Sequence, residues 1–255
     1  MWSLINLILQ NKLLIITFIL FSQVLYSQSK YNNFIYDLYK TTKSDIKLPE
    51  NLDGIVQQKS DTIEYIFELK DNKGRFYPIL KLNNSQQGSK LNLNEIFVKT
   101  EGEYYYDFEN QIFENKKHAL GQTFIVDIKK DSLKWDISNE IIPCFNYSCK
   151  KAVLTKTEKG VSKINEYKIT VWFTDDVPYN IAPFGLLGLN GLIVKVNFNG
   201  NTELILKKMY FNNNPKKIKP FPSGKRLSSY EYDLIIQKYL DRYRNYRNNS
   251  VDKSE

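Results

Sequence analysis

Short apolar segments alternate with polar clusters along most of the chain, and this pattern predicts β-structure. The segments are rich in Ile, Val, Phe, Tyr and Thr, and clusters of Asn, Asp, Gly and Lys separate them. The first four predicted strands span residues 62–69, 75–82, 104–108 and 122–128. Recurrence at this spacing is typical of an antiparallel meander, so we expect a mainly β fold that forms a curved sheet or a partly open barrel.

Two turn signals predict hairpins in the first two-thirds of the chain. Asp-Asn-Lys-Gly at 71–74 predicts a hairpin loop in which Gly74 adopts positive φ. Glu-Lys-Gly at 158–160 lies between predicted strands at 151–156 and 163–174. Both segments are therefore expected to join neighbouring antiparallel strands.

The strongest hairpin signal lies further along the chain. Asn199-Gly200 separates predicted strands at 192–198 and 202–210. Asn-Gly is the favoured central pair of a type I′ turn, whose twist matches that of the flanking strands. We therefore expect a tight hairpin here.

The pattern changes after residue 211. Residues 212–227, rich in Asn, Lys and Pro up to Gly224, predict a linker. Ser228 and Glu231 form a capping-box signature ahead of a predicted helix at 229–244, within a helical and basic tail at 228–255. The helix places four apolar residues on one face, where they either dock on the sheet or lie on a membrane surface. These residues are Tyr232, Ile235, Ile236 and Tyr239.

The N-terminus predicts export. Nine mostly apolar residues at 13–21 follow Lys12 and precede a Ser27-Gln28 junction, which is the layout of a secretory signal peptide. The run spans roughly 14 Å as a helix, whereas a bilayer core measures about 30 Å. An uncleaved anchor that also uses residues 2–9 would place the polar residues 10–12 in the membrane. We expect a signal peptide at 1–27 and a β domain at 28–211, with no transmembrane anchor after cleavage.

The charge balance does not indicate a nucleic-acid partner. Lys and Arg number 36 against 28 Asp and Glu, a formal net charge of +8, but the basic residues are scattered except near the end of the chain. No nucleic-acid-binding motif accompanies them. The simplest interpretation is a solvated basic surface, and the alternative is contact of the basic tail with anionic lipid headgroups or acidic polysaccharide.

Two cysteines, Cys144 and Cys149, are separated by four residues. In an oxidising compartment this pair forms either a disulfide or two free thiols, and the spacing leaves both alternatives open. A redox Cys-x-x-Cys motif is absent. A zinc or copper site is not predicted, because His118 is the only histidine in the chain.

The sequence predicts no catalytic residue, metal ligand or cofactor. A Ser or Cys nucleophile needs a positioned base, and His118 lies in a Lys-rich stretch that resembles a turn. Asp175 and Asp176 are adjacent and precede Val-Pro, which favours solvated turn residues over paired catalytic carboxylates.

Six short elements between residues 134 and 193 resemble a known family. They are Lys134-Trp135, Asn146-Tyr-Ser-Cys149-Lys-Lys151-Ala152, Trp172-Phe-Thr174, Val177-Pro178, Pro183-Phe-Gly185 and Gly188-Leu-Asn-Gly-Leu-Ile193. In order and spacing they resemble the GLPGLI family of exported proteins from Gram-negative bacteria of the Bacteroidetes group. The resemblance implies an envelope protein whose biochemical role is uncharacterised.

The chain departs from the family pattern at Asn190, where proline gives the family its name, and at Asn146, where glycine is usual. Asn190-Gly191 fits a type I′ or a type II turn, and both require positive φ at Gly191. A ligand-binding glycine loop is the alternative, although no helix start follows it as phosphate binding would require. The motif residues interpreted as structural are Trp135, Cys149, Lys151, Ala152, Trp172, Thr174, Pro178, Pro183, Gly185, Gly188, Leu189, Gly191, Leu192 and Ile193.

Two functional classes remain. The first is a non-catalytic protein of the periplasm or outer envelope, or a secreted one, that binds an envelope protein or an apolar ligand on a curved β-sheet. The second is a secreted hydrolase that uses carboxylates. Convergent carboxylates in a polar cleft would favour the hydrolase, and an apolar cavity would favour carriage of a ligand.

Overall fold

A computed structural model describes residues 31–40, 56–57, 62–79, 91–92, 101–159, 164–200 and 202–251. The predicted signal peptide at 1–27 lies outside these residues. The first eight strands are β1 (Asn33–Lys40), β2 (Val56–Gln57), β3 (Ile63–Lys70), β4 (Lys73–Pro78), β5 (Leu91–Asn92), β6 (Glu103–Asp107), β7 (Ile112–Ala119) and β8 (Gln122–Asp127). They are followed by β9 (Asp136–Cys144), β10 (Tyr147–Lys159), β11 (Ile164–Thr174), β12 (Leu192–Phe198), β13 (Thr202–Tyr210), β14 (Lys225–Ser228) and the helix α1 (Ser229–Val251).

Twelve of these strands form one sheet, in the order β14-β8-β7-β6-β4-β3-β1-β13-β12-β11-β10-β9. Strand β1 lies in the middle and joins a first meander to a second one, β9 to β13. The first meander consists of β3, β4, β6, β7 and β8, while β2 and β5 pair separately. All neighbours are antiparallel except β14, which runs parallel to β8. Because the edge strands β9 and β14 do not pair with each other, the sheet is open. The predicted mainly β, antiparallel fold with a C-terminal helix is confirmed.

The Asn199-Gly200 hairpin forms as predicted, between strands with the expected bounds. Both turn residues adopt positive φ, as a type I′ turn requires. The first predicted hairpin also forms, but Gly74 has a different role from the one expected. Asp71 and Asn72 adopt the positive φ values of the turn, whereas Gly74 lies within β4. A Cβ atom on Gly74 would approach the Phe67 ring to 2.7 Å, so this glycine permits close packing instead.

One face of the sheet carries the main core. Side chains alternate along each strand, and the inward row is dominated by aromatic rings. Tyr65 stacks on Phe76 with ring centroids 5.0 Å apart, and Phe67 packs against Tyr106 at the same separation. The fully buried members of this face include Phe34, Tyr36, Tyr65, Phe67, Phe76 and Tyr106.

Part of the opposite face is covered by the segment predicted to be a linker. Ile218 and Phe221 are buried there against Tyr105 and Ile125. The segment is therefore packed against the sheet from its middle onward, and its last residues extend the sheet as β14. Regular structure begins again at Lys225, before the predicted end of the linker at residue 227.

Helix α1 starts at the predicted capping box. The Ser228 backbone N–H donates to the Glu231 carboxylate over 2.8 Å, and the Glu231 N–H donates to the Ser228 hydroxyl over 3.3 Å. The helix continues to Val251, beyond the predicted end at residue 244. Within the described residues, no helix combines the length and the apolarity that crossing a membrane requires.

Candidate functional site

Most family-like residues converge on residues 175–191, the motif loop, which connects β11 to β12. This loop crosses the aromatic face of the sheet. At its centre, a 3-10 turn at Pro183–Gly185 places the Phe184 ring 4.9 Å from Phe76 and 5.1 Å from Tyr65. Phe184 adopts a φ of 54°, which non-glycine residues seldom do. The loop thus covers the rings that the strands present.

A buried hydroxyl fixes the backbone of this turn. The Tyr106 hydroxyl donates a hydrogen bond of 2.6 Å to the Ala182 carbonyl and accepts one of 3.0 Å from the Gly185 N–H. Burial raises the pKa of Tyr106, and the Gly185 N–H lowers it to a smaller extent. The hydroxyl therefore stays protonated and serves as a fixed donor.

The next part of the loop rests on Trp135. The Trp135 indole N–H donates to the Leu187 carbonyl over 2.7 Å. A Cβ atom on Gly188 would lie 3.3 Å from the same indole ring, closer than most such contacts. The structure therefore brings together two family-like elements that are far apart in the sequence, as packing partners.

Gly191 lies where only glycine fits. Its φ is +125°, and an added Cβ atom would lie 2.1 Å from the Thr174 carbonyl oxygen. Its N–H donates to the Asn180 side-chain oxygen over 3.1 Å, and its carbonyl accepts from the Ile181 N–H over 3.1 Å. Asn190 is not among the described non-glycine residues with positive φ, which excludes a type I′ turn and leaves the sign pattern of type II.

The cysteine element lies in the second meander, where β9 turns into β10. Cys144 and Cys149 form a disulfide across the β9–β10 turn, with Cα atoms 5.9 Å apart. Cys149 and Ala152 are fully buried in the main core. In the turn itself, Phe145 adopts positive φ and Asn146 does not. The family glycine position therefore has no need of glycine in this chain.

The remaining motif residues divide between core and surface. Thr174, Pro183, Leu189, Leu192 and Ile193 are buried. Lys151, Trp172 and Pro178 are more exposed. Lys151 pairs with Glu140 over 3.0 Å, and the Lys195 ammonium group lies 5.1 Å from the Trp172 ring centroid. Lys151 and Trp172 are paired on β10 and β11, outside the motif loop, whereas Pro178 lies within the loop.

The titratable residues considered from the sequence are not assembled into a catalytic group. Lys150 hydrogen-bonds the Asp175 carboxylate over 2.6 Å, which lowers the pKa of Asp175. The exposed His118 ring contacts the Thr123 hydroxyl at 3.0 Å. In the part of the chain that the structure describes, no three or more His, Cys, Asp or Glu residues cluster as metal ligands.

Two buried carboxylates that sequence reasoning missed lie on the opposite face. Glu114 pairs with Arg226 of β14. Asp107 accepts hydrogen bonds of 3.0 Å from both the backbone and the side chain of Asn110, and these lower its pKa. Each carboxylate has its own structural partner: Glu114 holds β14 to the sheet, and Asp107 closes a turn. Strand alternation places both on the face opposite the aromatic core, so their burial depends on the segment that covers part of that face and is not indicated by the local pattern.

A third polar cluster, also missed, surrounds Glu101 near the start of α1. The Tyr104 hydroxyl hydrogen-bonds the Glu101 carboxylate. Burial raises the pKa of Tyr104, and the nearby Glu101 carboxylate raises it further. Glu101 also acts electrostatically on Tyr65 and Tyr232. Asp233 of α1 is an exposed residue, but its carboxyl group loses some of its contact with water, and this raises the pKa of Asp233. A carboxylate and several phenols therefore meet here.

Comparison with known proteins gives no family. No family model matches the chain, and no curated protein matches it. Among solved structures, it is similar to PNGF-II in its C2 and P21 crystal forms, each with a TM-score of 0.43. The identities are 14% and 15%, over 81% and 82% of this chain. The chain spans about a third of the length of PNGF-II, at 33% and 34%.

Proposed function

We propose that this chain is an exported, non-catalytic envelope protein of the GLPGLI type, which acts by binding a partner. The observation that carries this proposal is that the motif loop is packed and hydrogen-bonded as part of the fold. An added Cβ atom would lie 2.1 Å from the Thr174 carbonyl oxygen at Gly191, and the backbone groups of the loop bond to Tyr106, Trp135 and Asn180. A loop of this kind supports a fold and leaves few groups to hold a ligand.

The position of the loop also bears on which surface binds. An apolar ligand was expected on the curved sheet, and on the aromatic face of that sheet Phe184 packs on Tyr65, Phe76 and Tyr104. Ile218 and Phe221 cover part of the other face. We therefore place the binding surface outside these covered regions, on the edges of the domain and on α1.

Export is tested by expressing the full chain in a Gram-negative host and fractionating the cells. The protein is expected in the envelope or periplasmic fraction, and its N-terminal sequence should start close to Gln28. Recovery of the chain in the cytoplasm with Met1 intact would contradict the proposal.

A secreted hydrolase is the second candidate, and the cluster around Glu101 is the observation that favours it. Besides burial, Asp233 and Glu101 both raise the pKa of Tyr232, and two carboxylates near a phenol could support acid–base chemistry. Turnover of ester, glycoside and peptide substrates should be compared between the wild type and the Glu101→Gln/Asp233→Asn variant. The binding proposal predicts no difference, whereas turnover that disappears in the variant would establish the hydrolase.

A further inference from the structure

Helix α1 packs on the sheet only through its first turns. Tyr232 contacts the Phe124 ring with centroids 5.4 Å apart, and the Lys117 ammonium group lies 5.6 Å from the Tyr232 ring centroid. Ile235 and Ile236 are half-buried. From Lys238 to Tyr246, every side chain that the structure describes is exposed. We call residues 238–251 the overhang, which at 1.5 Å per residue is about 20 Å long.

The overhang carries an aromatic stripe. Tyr239, Tyr243 and Tyr246 follow one another at intervals of four and three residues, which places them on one side of the helix. Their exposed fractions are 51%, 60% and 76%. Since Tyr232 lies seven residues before Tyr239, the stripe continues the docked side of the helix beyond the sheet. It is a row of large rings with no cover in the described structure.

The overhang is also basic. It contains Lys238, Arg242, Arg244 and Arg247 against a single acidic residue, Asp241, which gives a formal net charge of +3. Asp241 accepts a hydrogen bond of 3.1 Å from Gln237, and both residues lie away from the tyrosine stripe in the helical register. An aromatic stripe in a basic helix complements a surface that carries anionic groups on its outside and has an apolar layer beneath them.

We propose that the overhang binds flat on the surface of an anionic lipid bilayer. Its tyrosine rings would lie at the headgroup level, and its arginines would pair with lipid phosphates. The choice of a bilayer over a protein groove rests on the three phenol hydroxyls. In a dry groove each hydroxyl would need its own partner, whereas the headgroup layer supplies water and phosphate to all three. The biological setting rests on the proposed export, but the binding chemistry does not.

Vesicle binding tests this proposal. The full chain is mixed with vesicles of phosphatidylcholine plus phosphatidylglycerol or of phosphatidylcholine alone, and bound protein is measured by sedimentation. Every variant keeps the same N-terminus, so differences between variants report on the helix. The wild type should bind the anionic vesicles more tightly, and added salt should weaken this binding.

Two variants separate the contributions of rings and charges. Arg242→Gln/Arg244→Gln/Arg247→Gln should weaken binding to anionic vesicles by roughly fivefold for each arginine removed. Tyr239→Ser/Tyr243→Ser/Tyr246→Ser should weaken binding to both vesicle types. The matched control is Tyr230→Ser, because Tyr230 is 70% exposed on the same helix but lies on the opposite side. This control should bind like the wild type.

Three outcomes would overturn the proposal. The first is equal binding of the wild type and the arginine variant to anionic vesicles. The second is a loss of vesicle binding in the Tyr230→Ser control that equals the loss in the triple tyrosine variant. The third is a concentration-dependent dimer in sedimentation velocity that the triple tyrosine variant abolishes, because a second copy would then cover the stripe. Export of the chain without vesicle binding would reject this inference alone, and vesicle binding by a chain that stays cytoplasmic would reject only the proposed function.

Discussion

The motif loop and the overhang of α1 use aromatic residues in opposite ways. In the loop, Phe184 packs against rings from four strands, and Tyr106 donates and accepts hydrogen bonds beneath it. In the overhang, Tyr239, Tyr243 and Tyr246 face solvent. A family-like motif is thus used in the interior of this protein, whereas the surface suited to a partner lies in a segment outside the motif.

The strongest test of the comparison is Gly191→Ala. A Cβ atom at Gly191 meets the Thr174 carbonyl oxygen at 2.1 Å, and the φ of +125° strains any L-residue. We expect the free energy of unfolding to fall by about 3 kcal/mol or more, measured by denaturant unfolding. Gly200→Ala is the matched control, because Gly200 also has positive φ but has no atom within 4 Å of the added Cβ. It should cost only about 1–2 kcal/mol, and an equal loss in both variants would remove the packing argument.

Tyr106→Phe tests the hydroxyl beneath the loop. The change leaves the Ala182 carbonyl and the Gly185 N–H without their buried partner. Unfolding free energy should fall by about 1–3 kcal/mol. Tyr243→Phe removes a hydroxyl from the exposed stripe and should stay within about 0.5 kcal/mol of the wild type. Similar values for the two variants would show that the loop is no better packed than the overhang.

The disulfide between β9 and β10 should contribute an intermediate amount to the free energy of unfolding. Cys144→Ala/Cys149→Ala opens a short loop, and the chain-entropy argument gives a loss of about 2 kcal/mol. Thermal unfolding of the oxidised wild type and the double variant measures this difference. The wild type should also show a mass deficit of two hydrogens before reduction, and labelling of both thiols without reduction would contradict the bond.

The smallest expected effect comes from Asn190→Pro, which introduces the family residue. Asn190 does not have positive φ whereas Gly191 does, so the sign of φ at residue 190 is the one that proline requires. Restriction of the unfolded chain should raise the unfolding free energy by about 0.4–1 kcal/mol or leave it unchanged. A clear fall in melting temperature would indicate that the geometry around Asn190 is incompatible with proline.

Local chemistry explains which elements the sequence predicts well. Asn199-Gly200 and the Ser228–Glu231 capping box each depend on a few neighbouring residues, and both form as expected. The prediction that Gly74 supplies positive φ is wrong, because Asp71 and Asn72 supply it. A glycine is needed at 74 because the Phe67 ring on the neighbouring strand leaves no room for a Cβ atom. A local pattern does not contain that contact.

Long-range packing explains what the sequence does not predict. Strand β1 lies between β3 and β13, a pairing of residues that are far apart in the chain. Ile218 and Phe221 occur in a segment rich in Lys and Pro, and their burial depends on Tyr105 and Ile125. The partners of Tyr106 and Trp135 in the motif loop likewise come from distant residues. These contacts follow from tertiary structure and leave no periodic signal.

Hydrogen–deuterium exchange tests the central contrast most directly, because it reports on both regions in one protein. We predict slow exchange for the bonded amides of Ile181, Gly185, Gly191 and Ile193, close to the rate set by global unfolding. We predict rapid exchange at residues 239–251 in buffer and slower exchange there with anionic vesicles. Rapid exchange of the motif loop, together with an overhang already protected in buffer, would contradict the account.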